Sequence, residues 1–270
     1  MATTSPLSMA KADITLTFGT YAADKPTATI RKFKPFLDYL GREMSTYLQE
    51  PVTIKIRLAG NYDLGIADLT KGRVDFSRFG SASYVTAKRD NPGLKIIAME
   101  SKKGKKTFKG IIAVHEGSDI KTLKDLKGRS FAFGDPLSTI GRYLAQAHLL
   151  DAGVTGSDLK YFAYLGRHDR VGAAVGNGDF DAGALEEGTF KQLQAKGTPI
   201  VALMSFNNVT KPWISRSELP LRIFKALNMV MLNATGSKAL KNTSKSGFLP
   251  GEDHDYDSVR VAMKRSVKFN

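Results

Sequence analysis

The segment Phe131-Ala132-Phe133-Gly134-Asp135-Pro136-Leu137-Ser138-Thr139-Ile140-Gly141 sets two hydroxyl side chains where a strand gives way to a helix. The first N–H groups of a helix have no carbonyl one turn back, and the helix dipole adds partial positive charge there. Hydroxyls beside such amides make a cradle for an oxyanion without any lysine. Read locally, Ser138 serves equally well as a plain helix cap. Other chemistries lack their residues. The chain has no cysteine and four histidines, so thiolate metal sites, disulfides and thiol nucleophiles are excluded. There is no Gly-x-Ser-x-Gly elbow, no phosphate-binding Walker loop and no His-Glu-x-x-His helix. Tight ground-state binding of an oxyanion gives no rate advantage by itself. A binding protein is expected, not an enzyme, and with no cofactor or metal.

The elements that position this loop alternate. Ile14 to Tyr21 reads as a half-buried strand. Thr27 to Leu48 follows as an amphipathic helix with Ile30, Phe33, Phe36, Leu37, Leu40, Met44 and Leu48 on one face. Val52 to Ala59 is a second strand, Asn61 caps a helix running to Lys71, and strands at Val74–Phe79 and Leu94–Met99 flank a helix from Ser81. The alternation restarts at Lys109 and runs to Ser205; after it come Trp213–Ser217, a helix from Glu218 to Asn233 and a short helix near Ser258. Strands alternating with helices predict an α/β fold, parallel sheets covered on both faces. Two successive units predict two lobes: residues 13–109 and 206–270 in a discontinuous lobe 1, residues 110–205 in lobe 2, and a hinge where the chain crosses. Residues 1–12 are expected to be a disordered or signal remnant, since no hydrophobic segment suits a signal peptide there. Ligands of such sheets sit at the carboxyl ends of the strands, here facing each other across a cleft.

The formal charge of +14 and pI near 9.8 imply an anionic partner. Basic residues are dispersed apart from Lys102-Lys103-Gly104-Lys105-Lys106, which reads as a solvated loop. No nucleic-acid-binding motif is present, so a nucleic acid partner is not expected. No apolar stretch approaches the roughly 20 residues that cross a bilayer.

Taken in order, several motifs resemble the phosphonate and phosphite binding proteins of ABC transporters. Gly134-Asp135-Pro136-Leu137-Ser138-Thr139-Ile140-Gly141 is similar to that family's Ser-Thr-Ser-Gly loop. Asn61-Tyr62, Gly72-Arg73-Val74-Asp75-Phe76 and Phe79-Gly80 resemble its tyrosine loop and the strand that follows. Lys121 to Gly128 resembles the segment before the anion loop, and Gly166-Arg167-His168-Asp169 with Val175 to Ala182 resembles its histidine helix and Asn-Gly turn. The likeness continues through Trp213-Ile214-Ser215-Arg216 to Asp255-Tyr256-Asp257-Ser258-Val259-Arg260. It implies a two-lobed periplasmic-binding-protein fold of type II, each lobe a sheet flanked by helices. It implies a periplasmic, monomeric receptor that closes on a small oxyanion of the phosphonate, phosphite or phosphate class. The receptor would serve an ABC permease or, alternatively, a membrane sensor kinase.

The resemblance also implies the ligand set. Ser138, Thr139 and the amide of Ile140 would hold the oxyanion, with Tyr62 donating from lobe 1 and His168 from lobe 2. Three departures alter it. Ile140 removes a third hydroxyl, and Phe108 stands where many relatives carry a second ligand tyrosine. Lys211, in Val209-Thr210-Lys211-Pro212, replaces a family carboxylate that meets a ligand amine. A lysine there suits a second negative group, such as the carboxylate of a phosphonocarboxylate, or another oxyanion. Tyr84 and Tyr21 are expected at strand ends lining the cleft. In the pair Glu186-Glu187, Glu187 is expected to face the ligand, although an acidic pair also suits a helix start. Trp213 is expected to be structural and near the hinge.

Overall fold

The structure, a computed structural model, describes residues 13–234, 236, 238–244 and 246–269; the expectation for residues 1–12 lies outside the described residues. The first seven elements are β1 (Ile14–Tyr21), α1 (Pro26–Leu48), β2 (Val52–Ala59), α2 (Tyr62–Thr70), β3 (Phe76–Arg78), α3 (Ser81–Asp90) and β4 (Lys95–Glu100). After a crossover come β5 (Thr107–His115) and β6 (Ser130–Phe133). A π-helical turn (Thr139–Leu144) then runs into α4 (Ala145–Asp151), followed by β7 (Tyr161–Tyr164), α5 (His168–Gly176), β8 (Ala182–Glu186), α6 (Glu187–Gln194) and β9 (Ile200–Val209). The chain returns through β10 (Pro212–Ser215), α7 (Leu221–Asn233), β11 (Phe248–Leu249) and α8 (Asp257–Ser266).

Two mixed sheets result, ordered β11-β4-β10-β3-β1-β2 and β7-β6-β8-β5-β9. β1 runs parallel to both β2 and β3, as right-handed strand–helix–strand units require. β10 returns antiparallel between β3 and β4, pairing Trp213 with Arg78 and Ala98. The long ladder of β5 against β9 starts at Thr107 and Val209, so both crossovers leave the second sheet side by side. They are tied together by Thr210 N–H donating to the Lys106 carbonyl (2.9 Å).

The alternating pattern located these elements, with shifts at their ends that have local causes. The predicted helix from Glu218 begins at Leu221, because Pro220 has no N–H and occupies the N-cap. Within the alternation that runs from Lys109, β8 starts at Ala182, after the turn at Gly178 with φ of 79°.

The first sheet's core gathers Phe18, Phe33, Phe36, Phe76 and Trp213. Trp213 is fully buried and stacks on Phe18 at 4.9 Å between ring centroids, a structural role. The second core centres on Phe131, Phe133 and Phe206. Residues 206–270 were expected in the first lobe, and β10, α7 and β11 lie with the first sheet. The end of the chain does not. Phe269 is buried in the second core, edge-on to Phe133 and Phe162, and Arg265 pairs with Asp151 of α4. The physical reason is the Phe269 ring, which finds an aromatic cluster on the second sheet. Among the described residues no helix is long and apolar enough to cross a membrane.

Candidate functional site

The carboxyl ends of both sheets' strands meet at the boundary between the lobes. From the first lobe, β1 ends in Tyr21, whose hydroxyl accepts from Gly80 N–H (2.7 Å) and donates to Ser83 Oγ (2.8 Å). This bridges the strand to the start of α3. Burial pushes the Tyr21 phenol up to about 12, so it stays protonated. Tyr62 opens α2, where Asn61 accepts from Leu64 N–H (2.9 Å) as the cap the sequence predicts. Its ring lies on that of Tyr21, 3.7 Å between centroids and 22° apart. Burial, then Tyr21 and Asp135, raise the Tyr62 phenol well above its ordinary value.

The second lobe supplies the loop that the sequence singles out. Gly134 and Gly141 close it backbone to backbone: Gly134 N–H donates to Gly141 O (2.8 Å), and a Cβ on Gly141 would meet Gly134 Cα at 2.8 Å. Only glycine fits there. Ser138 Oγ accepts from Gly141 N–H (3.0 Å), so the cap reading holds, and its side chain also meets the Tyr62 phenol. Capping and ligand contact are thus compatible: the cap uses an acceptor lone pair of the hydroxyl and leaves its proton to donate. Thr139 Oγ1 accepts from Ala82 N–H in the first lobe (2.8 Å), so two helix starts, that of α3 and that after Ser138, face each other. Ile140 turns its side chain into the second core and leaves its amide at the unpaired first turn. Asp135 accepts from Leu137 N–H (2.8 Å) and from the Tyr62 amide across the boundary; burial holds its carboxyl above the usual range.

His168 starts α5, is buried, and donates its backbone N–H to Ala23 O of the first lobe (3.1 Å). Its Nδ1 has no hydrogen-bond partner. Burial lowers its pKa against the opposing pull of Asp24 and Glu186, so the ring is neutral, with a polar atom free at the boundary. Buried polar atoms are almost always satisfied, and an orphan of this kind points to a missing partner.

Behind His168 lies a charged layer. Lys211 is buried, pairs with Glu186 and sits 5.0 Å over the ring of Phe108. Although burial pushes the Glu186 carboxyl up, Lys211, Lys32 and Arg78 together hold it well below the usual range. Arg78 makes a two-pronged bond to Glu100 (2.8 and 2.9 Å). Burial, then Arg78 and Lys211, lowers the Lys32 ammonium to about 8.

Of the residues expected to face a ligand, Tyr62, Ser138, Thr139 and the Ile140 amide come together at the boundary, His168 reaches the same boundary at Ala23, and Phe108 and Lys211 lie in the charged layer. Two do not. Tyr84 is buried within the first lobe, donating to Asp253 Oδ1 (2.6 Å) and packed on Tyr256. Glu187 belongs to the first turn of α6 and binds Lys191 one turn on (2.6 Å), an exposed helix pair. The acid that faces inward is Glu186, the last residue of β8. Lys32, Arg78 and Glu100 carried no local motif; the sheet register brings Arg78 and Glu100 here, and the packing of α1 brings Lys32.

A family model described as the periplasmic substrate-binding protein of phosphonate ABC transporters matches residues 18–256. A probable phosphite-binding protein of an ABC transporter from Prochlorococcus marinus is 30% identical over 253 residues, covering 84% of this chain and 83% of its own. A solved Prochlorococcus marinus structure, in complex with methylphosphonate, superposes with a TM-score of 0.83 at 24% identity, covering 94% of this chain and 98% of that one. A binding protein component of a phosphonate transporter from Pseudomonas aeruginosa gives 0.81 at 17% identity, covering 95% and 88%.

Proposed function

The chain belongs to the family of periplasmic phosphonate-binding proteins of ABC transporters, and from that premise we propose that Tyr62, Ser138, Thr139, the Ile140 amide and His168 enclose the oxyanion as the lobes close. The family is one of substrate-binding proteins and not of enzymes. The assignment is carried by two helix starts that face each other across the lobe boundary, together with the buried, unpartnered Nδ1 of His168 at that boundary. Helix starts and hydroxyls donate to an anion without bringing a counter-charge. A phosphonate, phosphite or phosphate-like group supplies the acceptor oxygens that such a set needs. The same oxyanion touches both lobes, so it binds the closed form better and shifts the population towards it. Working in the periplasm, the closed receptor would then present its ligand to a permease.

The test is isothermal titration of protein unfolded and refolded to strip carried ligand, against phosphite, phosphate and methylphosphonate. Micromolar or tighter binding of one of them, without turnover, is the expected result. Failure of all three to bind folded, ligand-free protein overturns the assignment.

A further inference from the structure

The charged layer borders a cavity of about 100 Å³ lined by Tyr21, Asp24, Lys32, Arg78, Glu186 and Lys211. That volume holds a few atoms, a carboxylate and not a ring. Its charges are unevenly matched. Arg78 is engaged by Glu100, Lys211 by Glu186, and Asp24 Oδ1 accepts the hydroxyl of Thr189 (3.1 Å). Lys32 has no carboxylate partner among the described residues; its ammonium lies 5.6 Å from the ring centroid of Phe33 and lines the cavity.

Two cations crowd Lys32 further, since Arg78 and Lys211 both disfavour its charge. An amine entering this space would meet three like charges, with Glu100 and Glu186 already engaged by two of them and Asp24 engaged by the neutral Thr189 hydroxyl. An anion would meet one unpaired ammonium and strengthen it. The cavity also adjoins the oxyanion site, because Asp24, Glu186 and Lys211 are the same groups that act on His168. We propose that this cavity is a second anion subsite, with Lys32 as its principal cation, and that it takes the carboxylate of a short phosphonocarboxylate. This rests on the oxyanion reading above, which places the phosphonyl group at Ser138 and His168.

The experiment compares phosphonoacetate with methylphosphonate by titration on the full chain, in the wild type, Lys32→Gln and Glu186→Gln, with thermal melts as the folding control. Phosphonoacetate should bind at least about tenfold more tightly than methylphosphonate. Lys32→Gln should reduce that ratio at least about tenfold. Glu186→Gln removes an acid and releases Lys211, and should raise the ratio. The two variants move it in opposite directions, so one that folds suffices. A wild-type ratio at or below one, or variants that leave the ratio in place, overturns the second subsite while the oxyanion site stands. Binding of neither ligand overturns the oxyanion site, and the subsite with it.

Discussion

The two ends of the site solve the same problem by opposite means. At Ser138 the donors are amides and hydroxyls held by backbone geometry, and the His168 ring is kept neutral by burial. At Lys211 the groups are charged side chains, two ion pairs and the ammonium of Lys32, brought together by strands and a helix far apart in sequence. Neutral donors recognise shape and the number of oxygens. Buried charges recognise sign, and leave a heavy penalty when a partner is missing. A receptor built from both can be selective for a head group and for what is attached to it.

The contrast is sharpest in stability. Lys211→Met should destabilise the protein by about 3 kcal/mol, because it leaves the Glu186 carboxylate buried without its main partner; urea unfolding reads this. An unchanged midpoint would mean that the charged end is wetter than its burial implies. At the neutral end the expected loss is in affinity. Ser138→Ala and Thr139→Ala should each weaken oxyanion binding by ~1–3 kcal/mol, read by titration, and unaltered affinity in both would remove the loop from the site.

Lys32 gives a smaller effect of defined sign. Its amine ionises at 10.5 ordinarily and at about 8 in the folded protein. Between those values the folded state binds fewer protons than the unfolded one, so this group makes stability rise with pH across that window. Lys32→Met should therefore stabilise the ligand-free protein at pH 7 by on the order of 1 kcal/mol, and the gain should shrink as pH rises from 8 towards 10.5. Melts at several pH values check it; a gain independent of pH would mean that Lys32 is fully hydrated. The smallest change belongs to a residue outside both ends. Tyr84→Phe should cost about 1 kcal/mol of stability through its bond to Asp253 and leave ligand affinity unaltered.

The same contrast governs what the sequence made legible. The Ser138 loop is contiguous, and strand, turn, hydroxyls and helix follow one another in eleven residues. The alternation of strands and helices that frames it was equally local. Lys32 sits on a helix whose spacing marks it only as a polar position, and Arg78 on a three-residue strand. Nothing in either neighbourhood predicts that Trp213, paired with Arg78 across β10, would bring Lys211 to the same cavity. The choice of Glu187 over Glu186 failed for a similar reason. Both acids suit a helix start, and only the last residue of β8 faces inward, a one-residue distinction set by where strand becomes helix.

The seating of Phe269 in the second core has a mechanical consequence. The two crossover strands are adjacent and bonded to each other, so alone they would let one lobe both swing and twist about them. The segment leading to α8 is a third tether, bonded to that pair where Tyr256 donates to the Thr210 carbonyl (3.1 Å) and Lys106 pairs with Asp255 (2.9 Å), and anchored beyond it by Arg265 on Asp151. Three connecting segments bonded to one another leave the lobes less freedom to twist than two would, so closure should return the donors of the two lobes to the same register.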